Sequence, residues 1–166
     1  MPSRNLMLLL AVAIIAVGVI YFFVPGEEAP QPEPEPIPAP ADVAAIPPDA
    51  TVNEAGIGIR IIQEGDGVNF PALSDDVTIH YTGWTTDGEM FDSSRLRGEP
   101  STFPLGELIE GWKLSVPSLS KGGRALIWIP GELAYDRPDA RPDAPRGMLV
   151  FDIELFDFAP TERPPE

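Results

Sequence analysis

Residues 79–95, IHYTGWTTDGEMFDSSR, gather aromatic side chains, tight-turn residues and opposite charges into one short span. The span offers no evident nucleophile–base pair, no metal cluster and no glycine-rich phosphate loop. His80 is the only histidine in the chain. A lone histidine on a strand is expected to be structural, and no Ser–His–acid set can be completed around it. Asp75-Asp76 and the pair Asp139 and Asp143 could hold a cation, but they read as solvated turn carboxylates, so no metal site is expected. Glycosidase-type paired carboxylates stay open on sequence alone, yet no two sit in clearly apolar surroundings that would split their pKa values. There are no cysteines, which removes disulfides, thiolate catalysis and Cys-ligated zinc together. What remains is aromatic: Tyr81, Phe91, Phe103, Trp112, Tyr135 and Phe151. Such a set is either plain core or the lining of an apolar pocket.

The elements that must position these side chains can be read from periodicity. Ile57, Ile59 and Ile61 alternate with their neighbours, as do Val77, Ile79 and Tyr81, which predicts strands. Thr86-Asp87-Gly88-Glu89 reads as a hairpin connection leading into a second strand at Met90-Phe91-Asp92. In residues 108–116 (LIEGWKLSV), apolar residues at 108, 109, 112 and 116 share one helical face. Gly111 weakens that helix and Pro117 ends it, so it must be short. Ala125, Ile127 and Ile129 alternate in another strand, residues 130–147 form a long proline-rich loop, and Leu149, Phe151, Ile153 and Leu155 mark the final strand. The sum is an α+β domain: an antiparallel sheet of about five strands covered by one short helix.

The rest of the chain is organised differently. Residues 6–24 (LMLLLAVAIIAVGVIYFFV) are uninterruptedly apolar. As a helix they would span about 29 Å at ~1.5 Å per residue, close to the ~30 Å hydrocarbon core of a bilayer. Arg4 precedes the run and no basic residue follows until Arg60, which places the C-terminal part outside the cytoplasm. The reading is a signal anchor over residues 1–24 in a bacterial-type inner membrane, with the domain facing the periplasm. The alternative is a cleaved signal peptide and a soluble periplasmic protein. Residues 25–50 hold nine prolines, six acidic residues and no basic ones. That composition predicts a disordered linker, reaching about 80 Å if extended at ~3.1 Å per residue. The folded domain is expected over 51–160, with a disordered tail over 161–166. The net charge of -15 argues against nucleic acid as a partner.

Several ordered motifs carry a resemblance. IHYTGWTTDGEMFDSSR, LGELIEGW, LAYD and MLVFDIEL, with the opening GIGIRIIQEGDGVNFP, resemble the FKBP-type peptidyl-prolyl isomerases from about residue 56 to 158. The resemblance implies an antiparallel half-barrel wrapped around a short helix. It implies rotation about X–Pro bonds with no cofactor and no metal, and together with the apolar run over 6–24 it makes exported, folding polypeptides the expected substrates. By resemblance, Tyr81, Asp92, Tyr135 and Phe151 are the catalytic candidates. Trp112 forms the floor, Phe91, Phe103, Leu108 and Ile109 complete the substrate site, and Arg97 holds Asp92. The Ile109 amide would bond a substrate carbonyl. Proline-containing polypeptides are the implied partners and macrolides the implied small ligands; a single anchor and a small acidic domain point to a monomer. Ser101, Asp136 and Asp143 depart from the family pattern and bear on macrolide affinity and substrate preference. The alternative is a non-catalytic proline-peptide binding or chaperone module. Ile37-Pro38 or Ile46-Pro47 of the linker could also occupy the site in cis.

Overall fold

The computed structural model describes residues 35–161. The apolar run over 6–24 lies outside them, as do residues 25–34 of the expected linker and 162–166 of the expected tail. Among the described residues no helix is long and apolar enough to cross a membrane.

Seven antiparallel strands form one sheet: β1 (Thr51–Val52), β2 (Gly58–Gln63), β3 (Asp75–Thr85), β4 (Met90–Ser93), β5 (Ser101–Pro104), β6 (Arg124–Ile129) and β7 (Leu149–Pro160). Their order is β1-β2-β6-β7-β3-β4, with β5 also pairing β3. The five expected strands correspond to β2, β3, β4, β6 and β7. The count of five is corrected by β1 and β5, which at two and four residues are too short to display a period-2 pattern. A single turn, α1 (Ser94–Arg97), follows β4 directly.

The expected helix over 108–116 is shorter. α2 spans Glu110–Ser115 and tightens into a 3-10 turn over Val116–Ser118, which contains Pro117. Leu108 and Ile109 stand before it, with Ile109 as the N-cap residue. Gly111 costs the helix propensity but has a packing reason. A Cβ there would run into the Ile129 side chain on β6. Glycine therefore lets the helix lie directly on the sheet.

Alternation along the strands sends residues to two faces. The inner face, with Ile57, Val77, Ile79, Ile127, Ile129, Leu149, Ile153 and Leu155, closes against α2 and the segments flanking it. Each of these side chains is fully buried, worth about 1.5–3 kcal/mol apiece. One inner row runs Ile59–Ile127–Phe151–Gly83–Asp92 across five strands.

The adjacent row on the outer face runs Gly58–Trp128–Val150–Trp84. Residues 37–50, expected as part of a disordered linker, form an ordered strap lying against this row. Val43, Ile46 and Ala50 pack with Met148 on Leu126, Trp128 and Val150. Ile46 sits where Gly58 lacks a side chain; a Cβ on Gly58 would come within 2.6 Å of it. The Trp84 indole N–H donates to the Ile37 carbonyl (2.9 Å) and that of Trp128 to the Asp42 carbonyl (3.2 Å). Arg60 stacks over the Trp128 ring, pairs with Asp42 and reaches Asp49 at 3.4 Å. Proline-rich composition predicts no core, but it does not prevent docking onto one already built. The residue expected to begin the tail, Thr161, donates its N–H to the Ser74 carbonyl and its hydroxyl to Asp76.

Candidate functional site

On the inner face the core is incomplete. A cavity of about 200 Å³ opens between the sheet and the segment leading into α2. It is lined by Tyr81, Phe91, Asp92, Phe103, Leu108, Ile109, Trp112, Tyr135 and Phe151. Nine of the ten residues singled out from the sequence therefore meet in one place, and Arg97 stands just behind them.

The aromatic rings fix one another edge to face. Trp112 meets Tyr81 at 5.5 Å and Phe151 at 5.3 Å between ring centroids. Phe91 meets Phe151 at 5.6 Å, and Tyr81 lies 6.1 Å from Phe103. The Trp112–Tyr81, Trp112–Phe151 and Phe91–Phe151 contacts are T-shaped and suit the ring quadrupoles, while Tyr81 and Phe103 meet tilted. Trp112 is buried, and its indole N–H has no hydrogen-bond partner among the described residues.

Phe91 and Asp92 are consecutive, yet both reach the cavity. In a regular strand they would face opposite ways. The β3–β4 ladder explains it: Gly83 pairs with Asp92, Trp84 pairs with Met90, and the register shifts between them. Phe91 is the extra residue of a bulge, a device that re-aims a side chain. Gly83 makes room, since a Cβ there would come within 2.5 Å of the Phe91 ring and 3.0 Å of the Phe151 ring.

The polar edge is a closed network. Tyr81 Oη donates to Asp92 Oδ2 at 2.5 Å. Arg97 donates from Nη1 to Asp92 Oδ1 (2.7 Å) and from Nη2 to Tyr81 Oη (2.9 Å). Its guanidinium lies over the Tyr81 ring, 5.5 Å from the centroid. Burial opposes ionisation of Asp92, but the bonds from Tyr81 and Arg97 outweigh it and hold the carboxyl below its ordinary range. Burial, reinforced by the bond to Asp92, pushes the Tyr81 phenol up. At neutral pH the site thus presents a carboxylate and a neutral phenol that are already bonded to each other. Burial likewise raises Tyr135 on the opposite rim.

The departures from the resemblance have structural reasons. Ser101 accepts from Arg97 at 3.4 Å and so touches the network. The Asp136 carboxylate accepts from the Gly147 amide at 3.1 Å and closes the loop over 135–147 at its base. Arg146, which the sequence reading did not single out, donates to the carbonyls of Tyr135, Arg137 and Arg141. Asp143 faces solvent near Arg141 at 4.0 Å and does not line the cavity. Among the described residues no three His, Cys, Asp or Glu side chains gather as metal ligands. His80 lies outside the cavity, with Nδ1 3.0 Å from Ser94 Oγ and its ring edge-on to Phe156. Burial, with Arg95 adding to it, lowers its pKa. Ile37 and Ile46 rest on the other face of the sheet, so neither linker proline fills the pocket.

Such a site can enclose a small apolar group against aromatic walls beside one fixed carboxylate. It offers no activated nucleophile. Comparison with known proteins agrees with that chemistry. Residues 67–156 match the family model described as FKBP-type peptidyl-prolyl cis-trans isomerase. FK506-binding protein 1 of Debaryomyces hansenii is 48% identical over 102 residues, covering 60% of this chain and 91% of that one. The FKBP-type 22 kDa peptidyl-prolyl cis-trans isomerase of Escherichia coli is 41% identical over 106 residues, covering 63% of this chain and 51% of that protein. The crystal structure of FkpA from Escherichia coli superposes with a TM-score of 0.63 at 36% identity, over 69% of this chain and 53% of that one. The sheet, the aromatic pocket and these matches lead to one assignment: the chain belongs to the FKBP-type peptidyl-prolyl cis-trans isomerases.

Proposed function

We propose that the pocket accelerates rotation about X–Pro bonds in exported polypeptides, by stabilising the twisted amide without covalent chemistry. The barrier of ~18–20 kcal/mol comes from amide resonance. Resonance makes the planar amide more charge-separated than the twisted one, so an apolar, water-poor wall favours the twisted state. The single observation carrying this reading is the aromatic cavity edged by the Tyr81–Asp92–Arg97 network. Trp112 is the floor under the proline ring, with Phe91, Phe103 and Phe151 as walls. Asp92 lies beside the twisting amide, held still by Tyr81 and Arg97. Tyr135 and the Ile109 amide bind the flanking peptide backbone, and Leu108 completes the rim.

The export role rests on the apolar run over 6–24 and on Arg4 before it. On this reading the first segment anchors the protein in, or directs it across, a bacterial-type inner membrane, and the domain works as a monomer in the periplasm. The FK506-binding relatives support macrolides as competing ligands of the same pocket. Ser101, which touches Arg97 of the network, and Asp136, which closes the loop after Tyr135, lie around the pocket rather than in its floor and are expected to weaken that binding, whereas Asp143 faces solvent. The test is exchange NMR of a short X–Pro peptide with the full chain. Acceleration that falls sharply in Tyr81→Ala and Asp92→Ala supports the reading. Peptide binding at the uncatalysed rate would replace it with a non-catalytic binding module.

A further inference from the structure

The strap over residues 37–50 does more than cover apolar surface. β4 is a four-residue strand at the end of the sheet order, and it carries both Phe91 and Asp92. Its ladder to β3 is interrupted by the bulge. A short, bulged edge strand is a weak mount for two pocket side chains.

The strap reaches this mount from behind. Ile37 accepts the Trp84 indole N–H on β3, directly after Gly83 of the pocket row. Ala39 lies 3.6 Å from where a Gly88 side chain would begin, at the turn joining β3 to β4. The same segment bonds Trp128 on β6 through Asp42, pairs with Arg60 on β2 and seats Ile46 over Gly58. It then continues into β1, which pairs with β2. The strap therefore crosses the sheet from the β3–β4 hairpin to β2. It lies along the row next to the one that carries Phe151, Gly83 and Asp92.

We propose that the strap is a positioning element for the isomerase pocket: by bracing Trp84 and the β3–β4 turn it fixes Phe91 and Asp92, and so sets how tightly a proline peptide is held. The proposal rests on the pocket being the substrate site. Strap residues touch no substrate and act only through the hairpin.

The test uses the full chain carrying Val43→Asp with Ile46→Asp, which charges the strap where it meets Leu126, Trp128 and Val150, away from the pocket. The NMR signals of the Trp84 and Trp128 indole N–H groups report whether the strap has left. With the strap released, the Phe91 and Asp92 amide signals shift, those of Ile109 and Tyr135 stay, and KM for a short X–Pro peptide rises about tenfold, more than kcat falls. Val43→Leu with Ile46→Val restores all of these. A purely structural strap would lower the melting temperature and leave KM and the Phe91 and Asp92 signals unchanged below it; that result overturns the proposal. Should the double-Asp chain not fold, Asp42→Asn with Asp49→Asn loosens only the Arg60 contacts and is read in the same way, with smaller shifts. Should the parent chain not catalyse, the isomerase reading fails separately, while the Phe91 and Asp92 signals still decide whether the strap positions them.

Discussion

The two faces of the sheet hold the three tryptophans of the chain and treat them differently. On the outer face, Trp84 and Trp128 give their indole N–H groups to carbonyls of the strap, and the chain fills its own apolar groove. On the inner face, Trp112 is also buried, but its N–H has no partner among the described residues and a cavity stands beside it. A buried polar group without a partner costs about 1–3 kcal/mol. The outer face is thus complete in the isolated molecule. The inner face, among the described residues, leaves a cavity unfilled beside Trp112. Aromatic content does not separate structure from site; completeness does.

The largest expected effects would break this comparison. Trp128→Ala and Trp112→Ala should each cost about 3–5 kcal/mol of stability, read by urea unfolding. Only the second should also abolish peptide binding in the fraction that stays folded. Equal binding losses in both would erase the distinction between the faces. Next in size, Gly58→Val drives a side chain into Ile46 and should cost about 1–3 kcal/mol, with the Trp128 indole signal moving as the strap shifts. Tyr81→Phe should cost less, about 0.5–1.5 kcal/mol, because Asp92 and Arg97 stay paired without the hydroxyl. It should lower kcat/KM more than it lowers the melting temperature, since the freed carboxylate then moves at the pocket edge.

The smallest effect is a dependence on pH. Asp92 is held below its ordinary value in the folded chain. Its network therefore contributes stability that is complete above the unfolded carboxylate pKa of about 3.9 and is lost as pH falls through the lower folded value. The stability gap between the parent and Asp92→Asn should be constant near neutrality and close only in acid. A gap that closed between pH 6 and 8 would point to a different group.

Much of the fold was legible because strand alternation is a local property. Val77, Ile79 and Tyr81, or Phe151, Ile153 and Leu155, declare one buried face without reference to any partner. The pocket residues came from motif resemblance, which carries geometry that spacing alone does not. The features that escaped reading depend on partners distant in sequence. The Phe91 bulge is a mismatch between β4 and β3, and neither strand shows it alone. The strap reads as disordered because prolines and acids dominate it. Its order comes from Ile46 finding Gly58, Asp42 finding Arg60 and two carbonyls finding Trp84 and Trp128. Arg146 looked like one more charge in a polar loop until its carbonyl partners were placed around it.

The central claim, that the inner face is the substrate site and the outer face is the molecule's own, is tested by titrating a short X–Pro peptide into the full chain while following the three indole N–H signals by NMR. The Trp112 signal should move and saturate while those of Trp84 and Trp128 stay fixed. Movement of Trp84 and Trp128 with Trp112 unchanged would contradict the account and make the strap-covered face the binding surface.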